Sequence, residues 1–303
     1  MVQLRGVVVG LAVIAMLGGC AKPPKSGPTT SRSAYTQEMP AKADEKEQIA
    51  RTLLTGNSNP ETDPIRTASI APHLELRRSG QALEGRTLSV SMQKDIQLAK
   101  GEFVLTFDDG PRPGKTEKIL DVLDEHDVKA MFLMLGRAAQ SHPGLVREVA
   151  KRGHTIGLHT HSHGDLTKLN VAAALAEIER GQRPVVAALS PINKTPAPFF
   201  RFPYLAQNAQ LRTAVKNSGY VIMDVGVDSK DYFSDSPDQV RERTLARMAK
   251  AGRGIVLFHD IHHRTVKMLP QLLKDMEARG YKVVNLVPQD QPRFKSVVQL
   301  ANK

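Results

Sequence analysis

From residue 101 onward, short apolar segments alternate with helical patterns, and this alternation restricts the fold more than any other feature of the sequence. Strands that alternate with helices along a chain form parallel sheets covered by those helices. The predicted strands are 102–107, 129–135, 154–158, 197–202, 220–227, 254–258 and 281–286. The predicted helices are 115–127, 143–152, 171–189, 208–218, 237–250 and 265–279. We therefore predict an α/β fold of seven parallel strands, closed or nearly closed into a barrel.

Polar residues follow five of these predicted strands, directly after each strand ends. In (β/α) barrels the functional side chains gather at the carboxyl ends of the strands, so we expect these residues to meet in one site. The polar groups are Asp108–Asp109, His159–His163, Arg201–Tyr204, Asp228–Tyr232 and His259–Asp260.

Three histidines occupy alternate positions in "LHTHSHGDL" (158–166), namely His159, His161 and His163. On a strand all three side chains would share one face, whereas on a helical turn only the first and third would line up. The spacing alone leaves both arrangements open. Two histidines and one carboxylate form a ligand set for a catalytic divalent metal, with a position left for water. A second carboxylate as general base and a further histidine as general acid would complete the groups needed to hydrolyse an amide or ester.

Five segments resemble the ordered motifs of the polysaccharide deacetylase family, which is also called the NodB-homology domain or carbohydrate esterase family 4. The segments are "TFDDGP" (106–111), "HTHSH" (159–163), "RFPY" (201–204), "DSKDY" (228–232) and "IVLFHD" (255–260). The resemblance covers about 101–290, and it implies a distorted (β/α) barrel. It also implies metal-dependent removal of acetyl groups from N-acetylated amino sugars of a cell-envelope polysaccharide, for which we expect peptidoglycan.

The resemblance assigns the metal ligands. It implies that Asp109, His159 and His163 bind the metal, while His161 falls at a variable position of the motif and is not expected to be a ligand. Zinc is the expected metal, although two histidines and one carboxylate also suit Co²⁺, Mn²⁺ or Fe²⁺.

The resemblance also assigns the groups that move protons. Asp108 is implied to be the general base and His259 the general acid that protonates the leaving amine. Arg201 is implied to pair with the base, and Asp231 to orient the acid.

Three further residues are implied to contact the substrate. The backbone N–H of Tyr204 helps to hold the oxyanion, as a preorganised donor would, and Leu257 lines the acetyl pocket. Tyr232 stands where the family usually has tryptophan, and Leu205 where it often has glycine. Both departures affect the pocket wall and leave the ligands unchanged.

The same residues leave two alternatives to N-deacetylation open. The same fold could act as an O-acetyl esterase, or it could be a catalytically silent sugar-binding lipoprotein. A binding protein needs no paired base and acid, so the presence of both Asp108 and His259 argues against a silent protein.

The first 20 residues have the character of an export signal. Arg5 precedes an uncharged apolar run at 6–19, which is short for a membrane span and typical of a signal peptide. The run ends in "LGGC", which resembles the lipobox of bacterial lipoproteins and implies lipidation of Cys20. Three acyl groups would anchor the protein stably in a membrane. We therefore expect an exported, membrane-anchored lipoprotein in the periplasm, at the outer membrane or at the cell surface.

The remaining segments complete the predicted organisation. Residues 21–75, rich in Pro, Ser, Thr, Lys and Gln, are interpreted as a disordered tether. Residues 76–100 form an unassigned lead-in, and 291–303 a tail.

The composition restricts the partners. The single cysteine excludes an intramolecular disulfide. The net charge of +11 favours anionic partners. Nucleic acid is not expected for an exported chain without a basic patch interleaved with aromatic residues. The expected partners are an N-acetylated glycan polymer and, through Cys20, a membrane; we expect a monomer.

Overall fold

The computed structural model describes residues 82–289. The segments 1–20, 21–75 and 291–303, together with Cys20, lie outside the described residues and remain predictions. Within the described range there are nine strands. They are β1 (Glu84–Val90), β2 (Glu102–Asp108), β3 (Met131–Met134), β4 (Thr155–Leu158), β5 (Phe199–Phe200), β6 (Val221–Ile222), β7 (Val227–Asp228), β8 (Gly254–His259) and β9 (Lys282–Pro288).

Seven α-helices connect and cover these strands over the same range. They are α1 (Thr116–Glu125), α2 (Gly136–Ser141), α3 (Pro143–Lys151), α4 (Val171–Leu189), α5 (Ala209–Asn217), α6 (Pro237–Ala251) and α7 (His263–Ala278). Side chains cap several of them, as at α6, where Ser236 and Gln239 form a reciprocal capping box. None of the helices described here is both long and apolar enough to cross a bilayer.

The strands form one parallel sheet in the order β1-β9-β2-β3-β4-β5-β6, with β8 paired to β2 and β7 to β8. The predicted α/β fold with parallel strands is therefore confirmed. Among the strand pairings of residues 82–289, none joins β6 to β7, so the barrel is left open at that point. The register of β2 and β8 places Asp108 directly beside His259.

The sequence prediction differs from the structure at two strands. The lead-in contains β1, which was not predicted and which pairs with β9 at one edge of the sheet. The single strand predicted at 220–227 is divided into β6 and β7. Between them the chain leaves the sheet at Asp224, whose carboxylate pairs with Arg212 over 2.7 Å.

Alternate residues of β2 belong to two different apolar clusters, and this alternation determines the direction of the Asp108 side chain. Phe103, Leu105 and Phe107 pack with the buried faces of the helices. Val104 packs instead with a smaller cluster formed mostly by other strands. Because side chains alternate along a strand, Thr106 and Asp108 share the face of Val104 and point away from the helices. Both are buried without being apolar.

Candidate active site

The end of β2 supplies two carboxylates to one cavity. Successive residues of a strand point to opposite faces, so Asp108 and Asp109 would diverge if the strand continued. The left-handed backbone of Asp109, at a φ of 77°, breaks this alternation. Aspartate tolerates that conformation better than most residues do. As a result both carboxylates line the same cavity of about 340 Å³, which we call the catalytic cavity.

Asp109, His159 and His163 form a compact cluster whose potential ligand atoms lie within 4.8 Å of one another. Oδ1 of Asp109 is 3.5 Å from Nε2 of His159 and 3.4 Å from Nε2 of His163. That oxygen is buried and has no hydrogen-bond partner among the described residues. A buried polar atom without a partner is costly, and a cation between the three side chains would satisfy it. The cluster therefore fits a divalent metal.

The protonation of His159 also suits a ligand. Burial lowers the pKa of His159 to about 3, so the ring is neutral near pH 7 and its approach to Asp109 is not an ion pair. Nδ1 lies 2.9 Å from the backbone oxygen of Arg201 and donates its proton there. This hydrogen bond fixes the tautomer and leaves the lone pair of Nε2 directed toward the cluster, as is usual for metal-binding histidines.

The three alternate histidines lie in a loop after β4, on neither a strand nor a helix. Thr160 and His163 have φ values of 69° and 63°, and these two left-handed residues bend the loop so that the first and third rings meet. The ring centroids of His159 and His163 are 5.0 Å apart. His161 lies instead against α2, where its Nδ1 is close to Gly136. It is outside the ligand cluster, in agreement with the prediction.

Asp108 is held by a buried guanidinium. Its Oδ1 accepts a hydrogen bond of 2.7 Å from Nη1 of Arg201, which also donates to Thr106 over 2.8 Å. Nε of Arg201 donates to the backbone oxygen of Met223. Burial raises the pKa of Asp108, and the charge of Arg201 opposes that rise. Arg201 limits the rise without cancelling it, so the pKa of Asp108 stays above its usual value.

His259 is held by a second buried carboxylate. Its Nδ1 lies 2.7 Å from Oδ1 of Asp231, and its backbone N–H donates to Oδ2 of the same residue. Thr265 donates its hydroxyl to Oδ2 as well. Burial by itself would lower the pKa of His259, but the hydrogen bond and charge of Asp231, together with the charges of Asp108 and Asp109, raise the pKa to about 9. The imidazole is therefore protonated at neutral pH, with Nε2–H available as a donor.

Aromatic and aliphatic side chains form the wall of the catalytic cavity. Tyr204 is 69% exposed, and its ring centroid lies 4.5 Å from that of His163. Tyr232 faces His259 with centroids 5.5 Å apart and donates its hydroxyl to Asp228. The remaining apolar wall and rim residues are Phe202, Leu205 and Leu257. The residues to which the family resemblance assigns a role line this cavity, except for Arg201 and Asp231, which contact Asp108 and His259. Asp260, which was also expected at the site, does not line the cavity, and its carboxylate accepts a hydrogen bond of 2.6 Å from Thr116.

Sequence reasoning missed two contributors. Thr106 bonds the guanidinium of Arg201, and its position two residues before Asp108 on the same strand face was the signal for it. His262 lines the cavity with its ring centroid 5.7 Å from that of His259, and the loop after β8 gave no comparable signal.

The chain is similar to known proteins in sequence and in fold. Residues 95–223 match the family model described as polysaccharide deacetylase. A chitin deacetylase of Colletotrichum lindemuthianum is 33% identical over 198 residues, which cover 61% of this chain and 78% of that protein. A peptidoglycan-N-acetylglucosamine deacetylase of Listeria monocytogenes is 34% identical over 182 residues, 60% of this chain but only 37% of that protein. A solved peptidoglycan deacetylase of Bdellovibrio bacteriovorus superposes with a TM-score of 0.60 at 33% identity, covering 70% of this chain and 58% of that one.

Proposed function

Because this chain belongs to the polysaccharide deacetylase family, we propose that it hydrolyses N-acetyl groups of amino sugars in a cell-envelope polysaccharide, with peptidoglycan as the substrate. The main observation behind the proposal is that three functional groups lie around the same cavity. A buried carboxylate (Asp108), a protonated imidazole (His259) and the three-residue ligand cluster all open on one cavity. Hydrolysis of an amide needs a base, an acid and an electrophile in that arrangement.

The ligand cluster supplies the electrophile. Asp109, His159 and His163 would hold a divalent metal, which would serve to polarise an acyl oxygen and to acidify a water molecule. We propose zinc, because imidazole and carboxylate ligands in a three-residue set with one open position are typical of catalytic zinc.

Asp108 acts as the general base in this proposal. It removes a proton from the attacking water, and the charge of Arg201 favours the ionised carboxylate that this step needs. Thr106 and Met223 hold the guanidinium from behind, so the base is oriented by the sheet itself.

His259 acts as the general acid. An amine is a poor leaving group, so its nitrogen must receive a proton as the carbon–nitrogen bond breaks. Nε2–H of His259 supplies that proton, while Asp231 stabilises the imidazolium before transfer and fixes the ring through Nδ1. The backbone N–H of Tyr204 is proposed to donate to the oxyanion.

Exposed aromatic rings beside the cavity support a sugar polymer as substrate. Tyr204, Tyr232 and Phe233 are all largely exposed, although tyrosine and phenylalanine rings normally gain stability from burial. Such rings can pack against the apolar faces of sugar units. Leu257 is buried at the base of the cavity, where a methyl group of an acetyl substituent would be excluded from water.

The test is acetate release by the purified protein from peptidoglycan fragments, chitin oligomers and O-acetylated xylan. We expect release from an N-acetylated substrate, its loss with a chelator and its recovery with added zinc. Asp108→Asn should release no acetate, even after zinc has been added. Turnover of the O-acetylated polymer alone would contradict the proposal and favour the esterase alternative.

We further propose that Cys20 carries the membrane anchor and that the protein acts in the cell envelope. This rests on the apolar run at 6–19 and the "LGGC" that ends it. Metabolic labelling with a fatty-acid analogue should mark the wild-type protein and not the Cys20→Ser variant. An unlabelled wild-type protein would overturn this proposal.

A further inference from the structure

A second and larger cavity, of about 610 Å³, lies beside the catalytic cavity. We call it the basic cavity. It is formed by the loop between β2 and α1, by the segment from the end of β3 through α2, and by the loop after β8. Asp109 and His163 line both cavities, so two of the three members of the ligand cluster separate them. A polymer whose acetyl group occupies the catalytic cavity would therefore extend a neighbouring unit toward the basic cavity.

The lining of the basic cavity carries an excess of positive charge. Arg112, Lys115 and Arg137 face it, whereas its single carboxylate belongs to Asp109, which is already part of the ligand cluster. Nζ of Lys115 donates to the backbone oxygen of Ile261 over 2.7 Å, which holds the ammonium in place without neutralising it.

Among the described residues, the three cations differ from Arg152 in their lack of carboxylate partners. Within the described range, no ion pair joins the side chain of Arg112, Lys115 or Arg137 to a carboxylate. Arg152, in contrast, contacts three carboxylates, those of Asp121, Asp124 and Glu148. Unpaired cations around a concave site attract an anionic ligand, and their field is stronger in a cavity than on a flat surface.

We propose that the basic cavity binds a carboxylate carried by the sugar unit adjacent to the one that is deacetylated. The protein would then select acidic N-acetylated glycans over neutral ones of the same length. This inference rests on the proposed function, because it takes the catalytic cavity as the place of the acetyl group. The volume is sufficient for a carboxylate-bearing substituent, since cavities of 300–1,000 Å³ hold small ligands in general.

The experiment compares binding of two tetrasaccharides to full-length, chelator-treated protein by calorimetry. One alternates N-acetylglucosamine with N-acetylmuramic acid, which bears a carboxylate, and the other is the neutral tetramer of N-acetylglucosamine. We expect wild-type protein to bind the acidic compound about tenfold more tightly, because the charges are complementary. This preference should weaken in high salt, because exposed charges are screened.

The variant that tests the cavity is Arg112→Gln combined with Arg137→Gln. Both residues are exposed, so the fold is not expected to depend on them. The matched control is Lys118→Gln combined with Arg183→Gln, which removes the same charge from exposed positions outside the cavity. The cavity variant should reduce the preference to within about twofold, while the control keeps it.

Equal binding of the two compounds by the wild type, or equal loss of preference in the two double variants, would overturn the inference. Acetate release by the zinc-loaded wild type, measured separately, reports on the proposed function. Release without a preference leaves the proposed function standing and removes this inference. A preference for the acidic compound without acetate release supports the carboxylate site in the basic cavity and contradicts the proposed function.

Discussion

Nη1 of Arg201 donates a hydrogen bond of 2.7 Å to Oδ1 of Asp108, and the two side chains are only 1% and 2% exposed. Moving both charges out of water is costly, and their attraction only partly offsets that cost. The pair is therefore weak evidence for stability. What it provides is a positive charge beside Asp108 that opposes the rise of the carboxyl pKa caused by burial.

Arg201→Met should destabilise the protein by about 3 kcal/mol, because it leaves a buried carboxylate without a partner. Asp108→Asn combined with Arg201→Met should be more stable than the sum of the two single changes predicts, since neither charge remains. Urea unfolding of chelator-treated protein measures all three variants. Additive losses would show that the two side chains are not energetically coupled.

Asp231→Asn should move the high-pH limb of the kcat profile to lower pH by at least about one unit. Burial lowers the pKa of His259, and the hydrogen bond and charge of Asp231, with smaller contributions from the charges of Asp108 and Asp109, raise it to about 9. Only protonated His259 can act as the acid, so activity falls as pH rises through that pKa. Initial rates between pH 6 and 10 measure the limb. Tyr232→Phe, which removes a hydroxyl bonded to Asp228, is the control and should not displace it.

His163→Ala should reduce bound zinc to less than about a tenth of an ion per chain, because only two ligands remain. His161→Ala is a matched control from the same loop and should retain about one ion per chain. Elemental analysis after dialysis against zinc and then against metal-free buffer gives both values. His259→Gln should also retain the metal while losing acetate release. Equal metal loss in His161→Ala would mean that the ligands are wrongly assigned.

The protein should lose stability between about pH 6.5 and pH 4, partly because of His154. Burial lowers the pKa of this histidine to about 4, with Lys129 and Arg152 adding to the effect. Its unfolded pKa is about 6.5, so below that pH the unfolded chain binds a proton that the folded chain excludes. The loss approaches about 1.4 kcal/mol per pH unit in the lower part of this window.

The change that tests this effect is His154→Asn, followed by urea unfolding at several pH values. The variant should be less stable at pH 7, since the backbone N–H of Ala130 donates to Nδ1 of His154, yet its stability should fall less steeply on acidification. His263→Asn, at an exposed position, should keep the wild-type slope. An unchanged slope in His154→Asn would exclude His154 as a source of the pH dependence.

The order of strands and helices could be predicted because most strands are buried on both faces and appear as continuous apolar runs. The strand β1 could not be predicted from the sequence. It lies at one edge of the sheet and pairs only with β9, and its residues are largely exposed and polar. Edge strands commonly carry such residues, which discourage pairing with other molecules. The helix α2, with the sequence "GRAAQS", is too short to show a helical period.

The meeting of the site residues was predictable from the positions of strand ends, but the directions of their side chains were not. The two carboxylates share a cavity because of a single left-handed residue, Asp109. The left-handed φ of 55° at Leu205 gives a physical reason why glycine often stands there in related sequences. The basic cavity also escaped prediction, because Arg112 lies in the loop after β2 and Arg137 in α2, and the two form no motif in the sequence.

The pairing of β8 with β2 has a consequence for when activity can first appear. Residues 103–108 of β2 lie in register with 254–259 of β8. A strand that is synthesised late therefore pairs with one that is synthesised early. Asp108 meets its guanidinium only after 93 further residues have been made, and the acid arrives later still. A partly translated chain therefore lacks the pair of base and acid that the proposed function requires. The proposed hydrolysis would have to wait until nearly the whole domain had been synthesised and folded.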